Sequence, residues 1–312
     1  MTLTDHQRIE RRKHLGASDI PSLFGLDPFK TATDVWLTKI ADVAEPEQQS
    51  DSIDMGNSFE KPLLEWAAKE LNVEISINPY DLFAVCPQHP IFSATLDSLI
   101  LNGGVPSRKA IEAKVTSRSE EWGEPGSDQV PDRVNVQVQS QMLAHGLQRV
   151  HVVVLLGRNG LKRELYRVDR NETIIAAIIE KGESFWNTYV IPKTTPPESE
   201  FGLGSIDIIK RVVRVPATWA EVDEALIFDW DAKRKAGTEA EKAEELALER
   251  MLTPLKDAEG VHLSDGRTLE YLPTTKSILD QKKFKAEQPE LYEAFLKPSI
   301  SRTPRLKGAI NE

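Results

Sequence analysis

Within residues 92–116, apolar and polar positions alternate with a period of two over 92–97 and 111–116, the pattern of strands, and the rest of the chain is read outward from there. Two β-rich runs, 92–101 and 109–116, flank Asn102-Gly103-Gly104, which favours a tight hairpin turn. On the second run Ile111, Ala113 and Val115 share one face, and Glu112 and Lys114 share the other. Folding back at the glycines brings Asp97 beside the Glu112 face. Further strand-like runs occupy 73–77, 150–156 and 163–168. Helical periodicity marks 33–40 and a helix starting near Asn57 with a stripe of Phe59, Leu63, Trp66, Ala67 and Leu71. It also marks 132–145, with Val134, Val138 and Met142 as its apolar stripe and Gln137 and Gln141 on a shared face, and 171–189. This order predicts an α/β fold, a mixed central sheet flanked by helices.

Near the N-terminus, Gly16-Ala17-Ser18-Asp19-Ile20-Pro21 predicts a short helix with Ser18 at its N-cap, Pro21 in the first turn and Gly25 past its end. The proline-bearing stretch 194–200 predicts a boundary, giving a core over 1–193 and a mainly helical extension over 201–312 with a basic tail. Within the extension, 219–252 reads as one long charged helix or a pair broken near Gly237, with Leu226, Phe228, Leu246 and Met251 as packing positions. Residues 261–272 read as a small hairpin around Asp265-Gly266.

The 312 residues are 40% hydrophobic, enough for a sizeable core. No apolar run approaches the ~20 residues of a membrane span, and the first 13 residues are too polar for a secretory signal, so a cytoplasmic protein is expected. The single cysteine, Cys86, excludes a disulfide framework and any four-cysteine zinc or iron-sulfur site. A net charge of −10 argues against a nucleic-acid partner, yet basic residues cluster at both ends: Arg8, Arg11, Arg12 and Lys13, then Lys276 through Lys307. An acidic exterior around a basic channel reconciles the two.

Two carboxylates and a lysine gathered on one sheet face are costly to desolvate unless a cation sits among them, and hard divalent ions prefer such oxygen donors. The set reads as a metal site of Asp97, Glu112 and the Ala113 carbonyl, with Lys114 orienting or deprotonating a water. The alternative is a solvated Glu112–Lys114 pair on an edge strand; Asp231-Ala-Lys233 and Asp280-Gln-Lys282 show how common acid-x-Lys is. Glu60 is open to two readings. Asn57-x-x-Glu60 has capping-box spacing, or Glu60 points into the metal site from the side as a third carboxylate. Ser18 with Arg11 or Arg12 forms a candidate phosphate grip at a helix start.

With these residues in place, the chain resembles the YqaJ-type viral recombinases, the group that includes phage lambda exonuclease, within the PD-(D/E)XK nuclease superfamily. The motifs run in the family's order over roughly residues 8–189: Arg11 through Gly16-Ala17-Ser18-Asp19, Gly56-Asn57-x-x-Glu60, Leu96-Asp97, Glu112-Ala113-Lys114 and Gln137-Val138-Gln139. Leu96 stands where the superfamily's name has proline, and Ser98 where members usually have glycine.

The resemblance implies a restriction-endonuclease-like core and a metal-dependent exonuclease resecting double-stranded DNA 5′ to 3′ for a single-strand annealing protein. It implies Mg²⁺ or Mn²⁺ on Asp97, Glu112 and Ala113, assistance from Lys114, support from Glu60 and Gln137, and a 5′-phosphate held by Ser18 with Arg11 or Arg12. It further implies a homo-oligomer, often a ring-shaped trimer, of phage or prophage origin in a bacterial cytoplasm. The competing readings are a restriction-like endonuclease or single-strand trimming nuclease, and a non-catalytic DNA-binding or assembly protein.

Overall fold

The computed structural model describes residues 10, 12–44, 50–77, 82–157, 160–296, 304 and 306. Arg8, Arg11, Lys297, Arg302, Arg305 and Lys307 lie outside the described residues, and with them much of both basic clusters. The chain divides into two compact units, Met1–Arg214 and Val215–Glu312.

In the first unit the described strands are β1 (Leu15–Gly16), β2 (Glu74–Ser76), β3 (Phe83–Val85), β4 (Phe92–Thr95), β5 (Ser98–Asn102), β6 (Val105–Thr116), β7 (Arg149–Gly157) and β8 (Leu161–Asp169). Its helices are α1 (Ile20–Leu23), α2 (Ala32–Ile40), α3 (Asp51–Leu71), α4 (Asp132–His145), α5 (Glu172–Phe185), α6 (Glu198–Phe201) and α7 (Ile206–Arg211). A five-stranded sheet runs in the order β2-β5-β6-β7-β8, and a three-stranded sheet in the order β1-β4-β3. The large sheet is mixed: β6 and β7 are parallel, and its other neighbours antiparallel. A parallel pair needs a crossover, and the segment containing α4 supplies it.

Both faces of the large sheet are covered. Ile100, Ile111, Val153 and Leu155 pack against Leu63, Leu64 and Ala67 of α3. On the opposite face Ala110, Val150, Val152 and Val154 pack against Val134, Val138 and Met142 of α4. Strand β7 is therefore apolar on both sides, which is why its sequence is a continuous run of Val and Leu rather than an alternation. The hairpin joining β5 to β6 turns at Gly103 and Gly104, with φ of 57° and 78°, left-handed values that side chains resist. A third cluster joins Leu15, Val35, Phe92, Ile178 and Phe185 beside the small sheet. There α5 approaches β4 so closely that a Cβ on Gly182 would lie 2.5 Å from the Phe92 ring.

Several expectations change. The run 92–101 is not one strand: it breaks at Leu96-Asp97, so β4 and β5 belong to different sheets. Helix α3 starts at Asp51 with Ser50 as its side-chain cap, placing Asn57 and Glu60 inside the helix. The capping-box reading of Asn57 and Glu60 fails for that reason. At α1 the N-cap is Asp19 rather than Ser18, and its side chain does not cap the helix. Helix 171–189 is α5 capped by Asn171, extended by a π-helical turn over Trp186–Val190. Residues 198–213 stay with the first unit: Phe201 is buried on Phe185 and Tyr189, and the Ser205 N–H donates to Asp34 at 2.7 Å.

The second unit holds one continuous helix, α8 (Glu224–Leu252), unbroken at Gly237. A hairpin of β9 (Gly260–His262) and β10 (Thr268–Glu270) follows, turning near Gly266, then α9 (Gln281–Glu287) and α10 (Pro289–Ala294). Leu226, Phe228, Leu246 and Met251, expected to pack, are exposed.

Asp34 carries an unusual share of the first unit. It is 1% exposed and closes a capping box with Thr31 at the start of α2. It also accepts from the Ser205 N–H and hydroxyl, at 2.7 and 3.1 Å, at the start of α7. Asp34→Ala strips all of these buried donors of their acceptor, so denaturant unfolding should report a loss of about 1–3 kcal/mol or more.

Candidate active site

The break between β4 and β5 creates the site. Leu96 turns into the core beside α4, 2% exposed, and its N–H donates to the Leu82 carbonyl at 2.8 Å. Ser98 is fully buried and its hydroxyl donates to the Ile111 carbonyl at 3.2 Å. These two contacts account for the residues that depart from the family pattern: one fills the core, the other ties β5 to β6. Held between them, Asp97 accepts the Ala113 N–H on its Oδ2 at 2.8 Å.

Strand parity puts Glu112 on the face covered by α4, and it is 3% exposed. A buried carboxylate needs donors, and here every one is a side chain. Its Oε1 accepts from Lys114 Nζ at 2.7 Å and Gln137 Nε2 at 2.8 Å; its Oε2 accepts from Gln141 Nε2 at 2.7 Å. Lys114 Nζ also donates to Gln137 Oε1 at 3.1 Å. The two glutamines reach one carboxylate because they lie four apart on α4, one turn of helix. Gln141 is the member that sequence reasoning left out. Its signal was the shared face with Gln137, and its Oε1 is buried without a partner among the described residues.

Asp97, Glu112, Ala113, Lys114, Gln137 and Glu60 line one cavity of about 360 Å³, walled on the other side by Ile53, Gly56 and Asn57 of α3. The early start of α3 places Gly56, Asn57 and Glu60 on this wall. The Glu112–Lys114 pair thus lines a cavity on an interior strand of the sheet rather than forming a solvated pair on an edge strand.

The electrostatics are those of crowded carboxylates. Burial, and then the Glu112 charge, push the Asp97 carboxyl well above the ordinary range against the pull of Lys114 and the Ala113 N–H. Burial and Glu112 raise Glu60 as well. For Lys114 burial works against the charge, but Glu112 and Asp97 outweigh it and hold the ammonium above its usual value. One lysine serves three carboxylates, a set that favours an added cation. Among the described residues no three His, Cys, Asp or Glu side chains converge closely enough to hold a metal by themselves. The residues expected to hold a metal, Asp97, Glu112 and Ala113, all line this cavity, with Glu60 on its α3 wall.

Arg11 lies outside the described residues. Arg12 donates to the Ile40 carbonyl at 3.4 Å, at the end of α2, and Ser18 is exposed. Beside Ser18, Asp19 is buried and binds Lys30 at 2.5 Å and Lys39 at 2.6 Å. Burial pushes its carboxyl up, but the two lysines hold it far below the usual range. Asp19 also accepts the Gly16 N–H at 3.0 Å, so it organises the turn that presents Ser18.

Fold and site together define an α/β protein with a mixed sheet flanked by helices and a carboxylate–lysine–glutamine cluster at a strand break. Residues 8–148 match the family model of the YqaJ-like viral recombinase domain, the family that the chain's motifs resemble. Over 315 residues it is 26% identical to the uncharacterised protein YqaJ of Bacillus subtilis strain 168, covering 96% of this chain and 92% of that one. Among solved structures it is similar to LHK-Exo in complex with dAMP, with a TM-score of 0.49 at 16% identity, covering 61% of this chain and 94% of that one. A second structure of LHK-Exo, an alkaline exonuclease from Laribacter hongkongensis, gives a TM-score of 0.47 at 15% identity over the same shares.

A raised folded-state pKa means that the folded chain holds this proton more tightly than the unfolded one. Its contribution to stability is full below the unfolded value and lost as the pH rises through the folded value. In chelator-containing buffer at neutral pH, Asp97→Asn should therefore melt higher than the parent protein. The gain should shrink toward nothing as the pH falls to the ordinary carboxylate value of 3.8, which parallel thermal melts over that range would measure.

Proposed function

We propose that this chain is a metal-dependent deoxyribonuclease, specifically an exonuclease that resects linear double-stranded DNA 5′ to 3′ and leaves 3′ single strands for recombination by strand annealing. The observation that carries the reading is the convergence of Asp97, Glu112, Lys114, Gln137 and Glu60 on one cavity, within the span matched by the family. The donor set suits the ion: carboxylate and carbonyl oxygens are the ligands that Mg²⁺ and Mn²⁺ prefer, and the uncompensated charge that raises Asp97 and Glu60 favours a cation there.

Asp97, Glu112 and the Ala113 carbonyl would hold the metal. When bound, it supplies Lewis-acid stabilisation of charge on the phosphate and a water of lowered pKa. Lys114, kept as an ammonium by Glu112 and Asp97, donates to the water or to a phosphate oxygen and orients it rather than acting as a free base. Gln137 bridges Lys114 and Glu112 and fixes their geometry; Gln141 holds the other oxygen of Glu112 from the buried side. Glu60 faces the cavity from α3 and adds negative charge near the ion. Ser18, with Arg11 or Arg12, would hold the 5′-phosphate, with Lys30 adding positive charge nearby.

The expected partners are duplex DNA ends and a single-strand annealing protein, with copies assembled as a ring-shaped trimer in a bacterial cytoplasm. A ring lets a chain of net charge −10 act on DNA by facing its basic segments inward.

On 5′-phosphorylated linear duplex with Mg²⁺, the protein should release nucleotides and leave 3′ overhangs. Glu112→Gln should lower the rate by at least about 100-fold, and Gln137→Ala by roughly 10–100-fold. Equal digestion by parent and Glu112→Gln rules the assignment out. Cutting of covalently closed circles would favour a restriction-like endonuclease instead.

A further inference from the structure

The second unit lacks an interior of its own: among its described residues only Asp231 is buried. Helix α8 spans 29 residues, about 43 Å at 1.5 Å per residue, with apolar side chains exposed at both ends. Such a helix has little of its own to hold it in shape, since most helical stability comes from packing an apolar face.

One face of α8 follows alternating steps of three and four residues: Ile227, Trp230, Arg234, Gly237, Glu241, Glu244, Leu248 and Met251. The ends of this seam are apolar, its first half carries a cation, its second half carries anions, and glycine sits near the middle. Turned end for end about the level of Glu239, the seam matches itself. Ile227 meets Met251, Trp230 meets Leu248, Arg234 meets Glu244, and Gly237 leaves room opposite Glu241. A parallel pairing in register would oppose Arg234 to Arg234, Glu241 to Glu241 and Glu244 to Glu244, a like-charge penalty at each of these layers.

We propose that α8 is a homotypic docking surface, pairing antiparallel with α8 of a second copy of this chain about a two-fold axis. Charge complementarity selects the occupant and the direction, and the apolar ends supply the burial. Arg234 is free to swing to its new partner: its present ion pair to Asp231 is on a side chain 56% exposed. The competing occupant is the chain's own tail, since Pro304 and Leu306 line a groove with Leu226, Ile227 and Trp230. The proposal is independent of the nuclease reading.

Charge reversal in the full-length protein tests it by sedimentation equilibrium. Arg234→Glu alone and Glu244→Arg alone should each weaken the α8-mediated association by at least about tenfold, and the two together should restore it. These positions are exposed, so folding, followed by circular dichroism, should stay unchanged. Register is read by thiol trapping: Trp230→Cys with Leu248→Cys should give a covalent inter-chain dimer with a short bifunctional cross-linker, while buried Cys86 does not compete. Association indifferent to all three charge variants, or failure of the double variant to recover, overturns the proposal. So does efficient intrachain linkage of Trp230→Cys to Leu306→Cys with no inter-chain product, which would assign the seam to the tail.

Discussion

A charge taken out of water has to be matched, and the carboxylate of Glu112 is the charge this fold is built to match. It lies between a sheet and a helix, 3% exposed, and its three donors come from β6 and from successive turns of α4. Since α4 is also the crossover between the parallel strands β6 and β7, the helix that satisfies the carboxylate is the one that makes the pairing possible. Glu112 on a sheet without α4 would be solvated or expelled.

The second constraint is the interruption at Leu96-Asp97. A continuous strand would send Asp97 along the alternation of β5. The break assigns β4 and β5 to separate sheets, with Leu96 and Ser98 anchored on either side, and frees Asp97 to take the Ala113 N–H. The carboxyls of Asp97 and Glu60 are then held near Glu112 at a cost that appears as their raised proton affinity. Carboxyl groups perturbed in this way by burial and like charge are a recurring mark of functional sites.

The extension is organised differently. Among the described residues, the first unit buries apolar side chains in four clusters, whereas the second exposes them along α8 and its neighbours. Exposed apolar surface of that kind is what sets the described residues of the second unit apart from those of the first.

Alternation over 109–116 determined the two faces of β6, the Asn-Gly-Gly turn its hairpin with β5, and apolar periodicity the whole of α4, because each is a local rule that holds wherever the chain packs. Of the motif residues, Glu60, Asp97, Glu112, Ala113, Lys114 and Gln137 share one cavity, whose lining does not include Ser18 or Arg12. What neighbouring residues cannot express, the sequence did not reveal. The run 92–101 looks uniform, and it breaks because its halves join different sheets. Asn57 and Glu60 have the spacing of a cap, but a better cap, Ser50, starts the helix earlier. Gln141 resembles any solvated helical glutamine until α4 is laid against β6 and a buried carboxylate takes its amide. Periodicity fixes which face a side chain occupies; only the folded arrangement decides what that face meets, since the partner is drawn from residues far away in the chain.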